Sequence, residues 1–207
     1  RMGVRLIGVV STLILARLLT PEDFGLVAVA MAFVAIMSQM SELGFNQALI
    51  RFQDADRDDY ATAWTLNALR GLLLSGIVAA LAWPVAWFYG DPRLGPLMLV
   101  MALIPLLESL ENVRFIDFEK GMDFRPISAV MVSVKVAAFL VTISVAVATR
   151  SYWALIAGTL TAKTARLVLT YWLVPFRPYL TLVSWRKLIG FSGWLLGAHI
   201  ITTPAAR

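Results

Sequence analysis

The apolar run "ISAVMVSVKVAAFLVTISVAVA", residues 127–148, decides the fold, because Lys135 is the only charged residue within it. An α-helix of about 20 apolar residues crosses the hydrocarbon core of a membrane. The run therefore predicts a transmembrane helix. A lysine inside such a helix is costly unless it faces a bundle interior or a water-filled cavity, so Lys135 is a candidate functional residue.

The composition extends this prediction to the whole chain. Of its 207 residues, 59% are hydrophobic and 15% are charged, and the mean hydropathy is +0.77. Soluble proteins usually carry about 25% charged residues. We therefore expect an integral membrane protein.

Six apolar stretches are long enough, or nearly long enough, to be transmembrane helices. They cover residues 2–19, 24–43, 61–88, 94–115, 127–148 and 152–174. The predicted fold class is an all-α polytopic membrane protein, with a six-helix lobe over residues 1–178. Residues 179–207 are predicted to form an amphipathic linker and the start of a seventh helix near Ile189. Because apolar segments lie at both chain ends, we expect a fragment truncated at both ends.

Lysine and arginine in the connectors predict the orientation, because they favour the cytoplasmic side of a membrane. Ten lie on the side of the N-terminus and three on the other side. The larger group is Arg1, Arg5, Arg51, Arg57, Arg114, Lys120, Arg125, Arg177, Arg186 and Lys187, and the smaller group is Arg17, Arg93 and Arg150. We therefore place the N-terminus in the cytoplasm.

Further polar residues lie inside the predicted spans and fall on single helical faces. The three faces are Asn67 with Arg70, Ser128 with Lys135 and Thr142, and Thr159 with Lys163, Arg166 and Thr170. Counted from the cytoplasmic ends of their helices, Arg70, Lys135 and Arg166 lie roughly 12–14 Å deep. Cations from three helices at one depth predict a shared basic pocket, which Lys163 extends toward the membrane centre.

Structural interpretations of the same cations remain open. In one interpretation, Arg70 pairs with Glu108 or Glu111 and links two helices. In the other, Lys135 and Arg166 extend their charged ends toward the membrane interface. The spans hold two such acids against four cations. Full pairing therefore leaves a positive surplus, which an anionic ligand would neutralise.

Other kinds of site have little support in the sequence. The absence of cysteine excludes disulfides and thiolate metal sites. The net charge of +5 does not indicate nucleic-acid binding, because the basic residues lie in short connectors rather than in one patch. The acidic cluster of Asp54, Asp56, Asp58 and Asp59 is more typical of a helix start than of a metal site. We therefore predict no metal, no cofactor and no nucleic-acid partner.

Five further segments of the chain are, in order, "LARLLTPEDFGLVAVA" (15–30), "ELGFNQALI" (42–50), "ATAWTLNALRG" (61–71), "WFYGDPRL" (87–94) and "WRKLIGFSGW" (185–194). Together they resemble the polysaccharide-biosynthesis flippases of the multidrug/oligosaccharidyl-lipid/polysaccharide exporter superfamily. Each segment alone is a weak signal, whereas the ordered set is specific. The resemblance runs from Leu13 to Trp194.

The resemblance implies a protein of two six-helix lobes, of which this chain is the N-terminal lobe and the C-terminal lobe is missing. It implies export of undecaprenyl-diphosphate-linked oligosaccharide across the bacterial cytoplasmic membrane, by alternating access through a cationic cavity between the lobes. By this analogy the substrate-binding candidates are Asn67, Arg70, Lys135, Lys163 and Arg166, with Arg17 and Arg51 as further candidates. Glu108 is the candidate for coupling to an ion gradient.

Three alternative functions are weighed against this one. A multidrug or cation antiporter of the same superfamily would favour acids in its cavity, whereas the spans hold a surplus of cations. A membrane glycosyltransferase or ligase acting on the same lipid carrier would need converging acids, and Asp117, Glu119 and Asp123 are the available ones. The last alternative is a purely structural subunit.

The orientation is testable with topology reporters. A reporter fused after Lys120 is expected to give a cytoplasmic signal, because the connector around it is rich in lysine and arginine. A matched fusion after Arg150 is expected to give a periplasmic signal. A periplasmic signal after Lys120 would overturn the orientation.

Overall fold

The computed structural model describes residues 8, 13–41, 49–50 and 56–186 of the chain. In these ranges the regular secondary structure is entirely helical. The helices are α1 (Pro21–Met40), α2 (Arg57–Tyr89), α3 (Leu94–Met101), α4 (Leu103–Ser109), a 3₁₀ turn (Val113–Ile116), α5 (Asp117–Lys120), α6 (Phe124–Thr149) and α7 (Trp153–Leu173). Residues 13–18 are also helical.

Three of these helices, α1, α2 and α6, are long and apolar enough to cross a membrane. A fourth candidate is a bent unit, in which α3 and α4 meet the 3₁₀ turn and α5 at 61°. Helix α7 has 21 residues but is not among the helices that combine sufficient length and apolarity. The all-α membrane architecture is thus confirmed, and the six-helix lobe stays a prediction. Most of the span 2–19 and the seventh helix lie outside the described residues.

The starts of the long helices follow from side-chain caps. Thr20 and Asp23 exchange side-chain to backbone hydrogen bonds of 3.3 Å, and Pro21 occupies the first helical position. Asp59 accepts a hydrogen bond from the backbone N–H of Asp56 at the start of α2, and Asp123 caps α6. Such caps satisfy N–H groups that have no partner within the helix. They begin α1 and α2 a few residues earlier than the apolar pattern alone predicts.

The proline residues affect their helices differently. Helix α2 continues through Pro84 to Tyr89 and ends at Gly90, whose φ is +69°. In contrast, the predicted span 94–115 is interrupted at Ala102, just before the buried Pro105. Proline has no N–H and clashes with the carbonyl of the preceding turn. At this break the Ser75 hydroxyl donates a 2.6 Å hydrogen bond to the Ala102 carbonyl.

The core lies where α2 meets α1 and the α3–α4 unit. It contains buried side chains from each of these helices, including Leu26, Val78, Leu97 and Met101. Many large apolar side chains on other faces are exposed, among them Trp87 at 87%. An exposed apolar surface of this kind suits contact with lipid or with other transmembrane helices.

The predicted linker, in its described part, lies against the start of α2. Residues 175–182 have no regular secondary structure. The backbone N–H groups of Thr181 and Ser184 donate to the hydroxyls of Thr65 and Thr62, at 3.2 and 3.3 Å. The linker backbone is therefore held by side-chain acceptors of α2 rather than by the hydrogen bonds of a helix of its own. The rest of the linker, from residue 187 onward, lies outside the described residues.

Two glycines of α2 provide a matched test of helix packing. A Cβ added at Gly71 would overlap the side chain of Ser109 and the Pro105 carbonyl, whereas a Cβ at Gly76 has nothing within 4 Å. We expect Gly71→Ala to destabilise the protein by about 1–3 kcal/mol, because the clash includes backbone. We expect Gly76→Ala to be neutral or stabilising. Thermal unfolding in detergent measures both, and equal effects would contradict close α2–α4 packing.

Candidate functional site

Two salt bridges connect the end of α4 to α7. Lys163 Nζ lies 2.5 Å from Glu108 Oε1, and Arg166 Nε lies 2.8 Å from Glu111 Oε2. The two acids are three residues apart, and so are the two cations. Each pair therefore lies on one side of its segment. Both salt bridges connect residues 55 apart in the chain. The constant offset means that the two segments run in the same direction.

The rest of the α7 polar face forms hydrogen bonds within its own helix. Thr159 donates to the Leu155 carbonyl at 2.8 Å and Thr170 to the Leu167 carbonyl at 2.9 Å. The two cations between these threonines instead contact the acids of the neighbouring segment. The polar face of α7 therefore holds this helix against the end of α4.

Asn112 stabilises the same contact at the C-terminal end of α7. The sequence did not single out this residue. Asn112 is 3% exposed, and its side-chain amide donates to the carbonyls of Thr170 and Val174 at 3.2 and 2.8 Å. Its side-chain oxygen accepts from the N–H of Arg114 at 3.0 Å. Asn112 thus caps the end of α7 and starts the 3₁₀ turn. The available signal was an asparagine directly after Glu108 and Glu111 at a helix end.

A cavity of about 230 Å³ lies beside the salt bridges. Its polar lining includes Asn67, Ser109, Asn112, Arg166 and the three glutamates Glu108, Glu111 and Glu119. Glu111 is paired with the one lining arginine. The cavity is therefore not cationic, although it brings together three predicted residues, Asn67, Glu108 and Arg166.

Arg70 has a different environment from the one predicted. Its Nη1 donates a 3.5 Å hydrogen bond to the Ser41 carbonyl at the end of α1. Its Nε is buried and has no hydrogen-bond partner among the described residues. The alternative in which Arg70 pairs with Glu108 or Glu111 is not observed, because those acids pair with Lys163 and Arg166.

Lys135 is exposed on α6, and it takes part in none of the salt bridges found within the described ranges. Its predicted face is not uniform. Ser128 is exposed as well, whereas Thr142 is buried and sits where a Cβ on Gly158 of α7 would be. The part of this face around Thr142 packs against α7, whereas the part with Ser128 and Lys135 is exposed.

The structure thus divides the predicted residues into two groups. Asn67, Lys163, Arg166 and Glu108 lie together around the salt bridges. Arg70 and Lys135 are in neither of these two salt bridges, and neither is among the described residues that line the cavity. Of the further candidates, Arg17 is exposed and Arg51 lies outside the described residues.

The acidic clusters have structural partners. Asp56 and Asp59 are joined at the start of α2, and Asp58 accepts a hydrogen bond from the Tyr179 hydroxyl. This hydrogen bond raises the pKa of the Tyr179 phenol. Asp117 accepts a 2.5 Å hydrogen bond from Tyr60, and Asp123 caps α6. No group of three or more histidine, cysteine or acidic residues in the described ranges has the arrangement of a metal site.

Comparison with known proteins identifies similar sequences. Residues 14–207 match the family described as "Polysaccharide biosynthesis protein". The chain is 29% identical over 116 residues to the succinoglycan biosynthesis transport protein ExoT of Rhizobium meliloti, covering 56% of the chain and 24% of that protein. It is 24% identical over 204 residues to the lipopolysaccharide biosynthesis protein WzxC of Escherichia coli, covering 94% of the chain and 40% of that protein.

A third relative is the amylovoran biosynthesis protein AmsL of Erwinia amylovora, 33% identical over 55 residues, which are 27% of the chain and 14% of that protein. The chain therefore spans less than half the length of each of these relatives. No solved structure gives a significant match.

The Lys163–Glu108 salt bridge is testable by a double-mutant cycle. We expect Lys163→Leu and Glu108→Leu each to lower stability, because each leaves its partner unpaired. The double variant is expected to lose less than the sum, with a coupling of about 1 kcal/mol. Unfolding in mixed detergent measures the four stabilities.

Lys135→Leu is the matched control for this cycle, since Lys135 forms no salt bridge in the described part of the chain. We expect it to leave stability unchanged. Additive effects of Lys163→Leu and Glu108→Leu would contradict the pairing.

Proposed function

The chain belongs to the polysaccharide biosynthesis protein family, and we propose that it is the N-terminal lobe of a transporter that exports a lipid-linked polysaccharide precursor. The observation that carries this proposal is the family match over residues 14–207. Support comes from the relatives, which are a succinoglycan biosynthesis transport protein, a lipopolysaccharide biosynthesis protein and an amylovoran biosynthesis protein. We accordingly propose a transport protein rather than an enzyme.

The proposed substrate is a polyprenyl-diphosphate-linked oligosaccharide, with undecaprenyl as the lipid. Its apolar tail can stay in the bilayer, so the barrier to crossing comes from the diphosphate and the sugar. Transfer of a charged group from water into hydrocarbon without partners is prohibitively costly. Lysine and arginine lower this cost by replacing water around the phosphate oxygens.

Arg70 and Lys135 are the proposed phosphate-binding residues. They are the two cations of the spans that contact neither Glu108 nor Glu111. Their combined charge offsets the negative charge of the diphosphate. The buried Nε of Arg70, with no hydrogen-bond partner among the described residues, is a donor that a phosphate oxygen would satisfy.

Lys163 and Arg166 are proposed as binding residues that act after release from their acids. A diphosphate entering between α4 and α7 would compete with the carboxylates of Glu108 and Glu111 for these cations. Protonation of Glu108 would favour the exchange, since a neutral carboxyl holds Lys163 less strongly. This is the proposed route for coupling to a proton gradient, with Asn67 as a neutral hydrogen-bonding neighbour.

The transport cycle requires a second lobe. We propose that this chain pairs with a C-terminal lobe of six helices in the bacterial cytoplasmic membrane, with the N-terminus in the cytoplasm. Rocking of the two lobes would open the cavity to one leaflet at a time. The exposed apolar faces of α1 and α2 provide surface for lipid and for that lobe.

One observation favours a second candidate function. The cavity beside the salt bridges is lined by three glutamates and one arginine. Such a lining suits a cationic ligand, as in a multidrug or cation antiporter of the same superfamily. In that case Glu119 would contribute to binding, because none of the observed salt bridges includes it in the described residues.

The phosphate-binding role is tested in cells that depend on the natural gene product. We expect Lys135→Ala and Arg70→Ala to reduce surface polysaccharide by roughly tenfold or more and to raise the lipid-linked precursor, because each removes charge-assisted hydrogen bonds worth about 1.5–3 kcal/mol. Lys135→Arg is expected to retain export. Polysaccharide amount, precursor amount and protein level are measured together.

Arg93→Ala is the matched control, because Arg93 pairs with Asp91 on the predicted opposite side of the membrane. Normal export by Lys135→Ala at normal protein level would refute its role. If Glu119→Gln instead abolishes resistance to cationic compounds while polysaccharide is normal, the antiporter function is correct.

A further inference from the structure

A second cavity, of about 560 Å³, lies at the end of the helix bundle where α2 begins and α7 ends. Its lining consists of Arg57, Arg114 and Arg177 together with Tyr60, Tyr171 and the Pro175–Phe176 segment. Among the residues that the structure describes, no carboxylate lines it. We propose that this arginine cavity binds a phosphoryl group at the membrane surface, independently of the transport site.

The three arginines are exposed and come from three separate elements. Arg57 is the first residue of α2, and Arg114 belongs to the 3₁₀ turn that Asn112 caps. Arg177 follows Phe176, which is 6% exposed and packs in a cluster with Tyr60, Val113 and Ile116. The cavity walls are therefore organised before any ligand enters, which lowers the entropic cost of binding.

Aromatic rings position two of the guanidinium groups. The Arg114 guanidinium lies 5.6 Å from the centre of the Tyr60 ring, and that of Arg57 lies 5.5 Å from the Tyr179 ring. A guanidinium stacked on a ring keeps its N–H edge available for hydrogen bonds. Planar arrays of N–H donors match the oxygens of a phosphate in a bidentate manner.

Two nearby carboxylates, Asp117 and Asp58, accept hydrogen bonds from tyrosine hydroxyls, and Asp117 also pairs with Arg114. Asp117 accepts a 2.5 Å hydrogen bond from the Tyr60 hydroxyl, which in turn accepts a 3.0 Å hydrogen bond from Lys120. Asp58 accepts from the Tyr179 hydroxyl. Arg114 contacts Asp117 only at 3.4 Å. Arg57 and Arg177 form no salt bridge in the described part of the chain.

The charge balance therefore favours an anion in this cavity, in contrast to the glutamate-lined cavity. Three guanidinium groups line the space, and one of them, Arg114, forms a 3.4 Å salt bridge with a carboxylate, Asp117. A phosphoryl group carries negative charge on oxygens that accept several hydrogen bonds at once. The volume leaves room for the group to which the phosphate is attached. The source of the phosphate is either an anionic lipid headgroup or a free phosphate compound.

The test compares variants that remove equal charge. Arg57→Gln/Arg177→Gln removes two cavity arginines, and Arg177→Gln alone removes one that forms no salt bridge in the described ranges. Arg125→Gln/Arg186→Gln is the control, because these two exposed arginines are also on the predicted cytoplasmic side but outside the cavity lining. The natural gene product is reconstituted in nanodiscs, and its thermal stability without ligand confirms folding.

One arm measures binding of inorganic diphosphate in nanodiscs of phosphatidylcholine. The other measures retention of phosphatidylglycerol by native mass spectrometry after reconstitution in mixed lipid. We expect the cavity double variant to weaken one of these interactions by roughly tenfold or more, and Arg177→Gln to weaken it partly. We expect the control double variant to bind as the original protein does.

The two arms identify the source of the phosphate. Loss of diphosphate binding alone assigns a free phosphate compound, and loss of lipid retention, with displacement of the lipid by diphosphate, assigns a headgroup. Equal losses in the cavity and control variants, or no loss in either arm, would overturn the proposal. The cavity variants leave Arg70 and Lys135 in place, and neither residue is among the described lining residues, so this test is distinct from that of the transport site.

Discussion

The pairing of charges between apolar helices is the constraint on which the rest of the structure depends. A cation inside a membrane bundle is stable only with a partner or with access to water. Glu108 and Glu111 provide two such partners, and Lys163 and Arg166 meet them with the same chain offset. This contact sets the register and direction of α7 relative to α4. Asn112 then closes the end of α7 with its side-chain amide.

The same pairing divides the cations of the protein by availability. Lys163 and Arg166 form salt bridges with Glu108 and Glu111, whereas Arg70 and Lys135 pair with neither acid. The cavity beside the pairs is consequently acidic, and the cavity at the bundle end is basic. In the two proposals, Arg70 and Lys135 bind the phosphate of the transported substrate, whereas the arginine cavity binds a phosphoryl group with a different set of residues.

Local signals in the sequence predicted local structure well. Thr20 and Pro21 begin α1, and the helix of the predicted span 94–115 is interrupted near the buried Pro105. Helix α2, in contrast, continues through Pro84 to Tyr89. The spacing of Lys163 and Arg166 identified their shared face but not their partners. Partners depend on which helices are neighbours and in what register, and the arginine cavity joins residues too distant in sequence for spacing to reveal.

The most direct test of the central claim is transport itself. The natural gene product is reconstituted in liposomes with a fluorescent polyprenyl-diphosphate oligosaccharide, and its movement between leaflets is followed by quenching from outside. The account predicts movement well above that in protein-free liposomes, and much slower movement of the same oligosaccharide on a neutral lipid. Equal rates for the diphosphate and neutral lipids, or no rate above the protein-free control, would contradict a transporter that recognises its substrate through phosphate-binding cations.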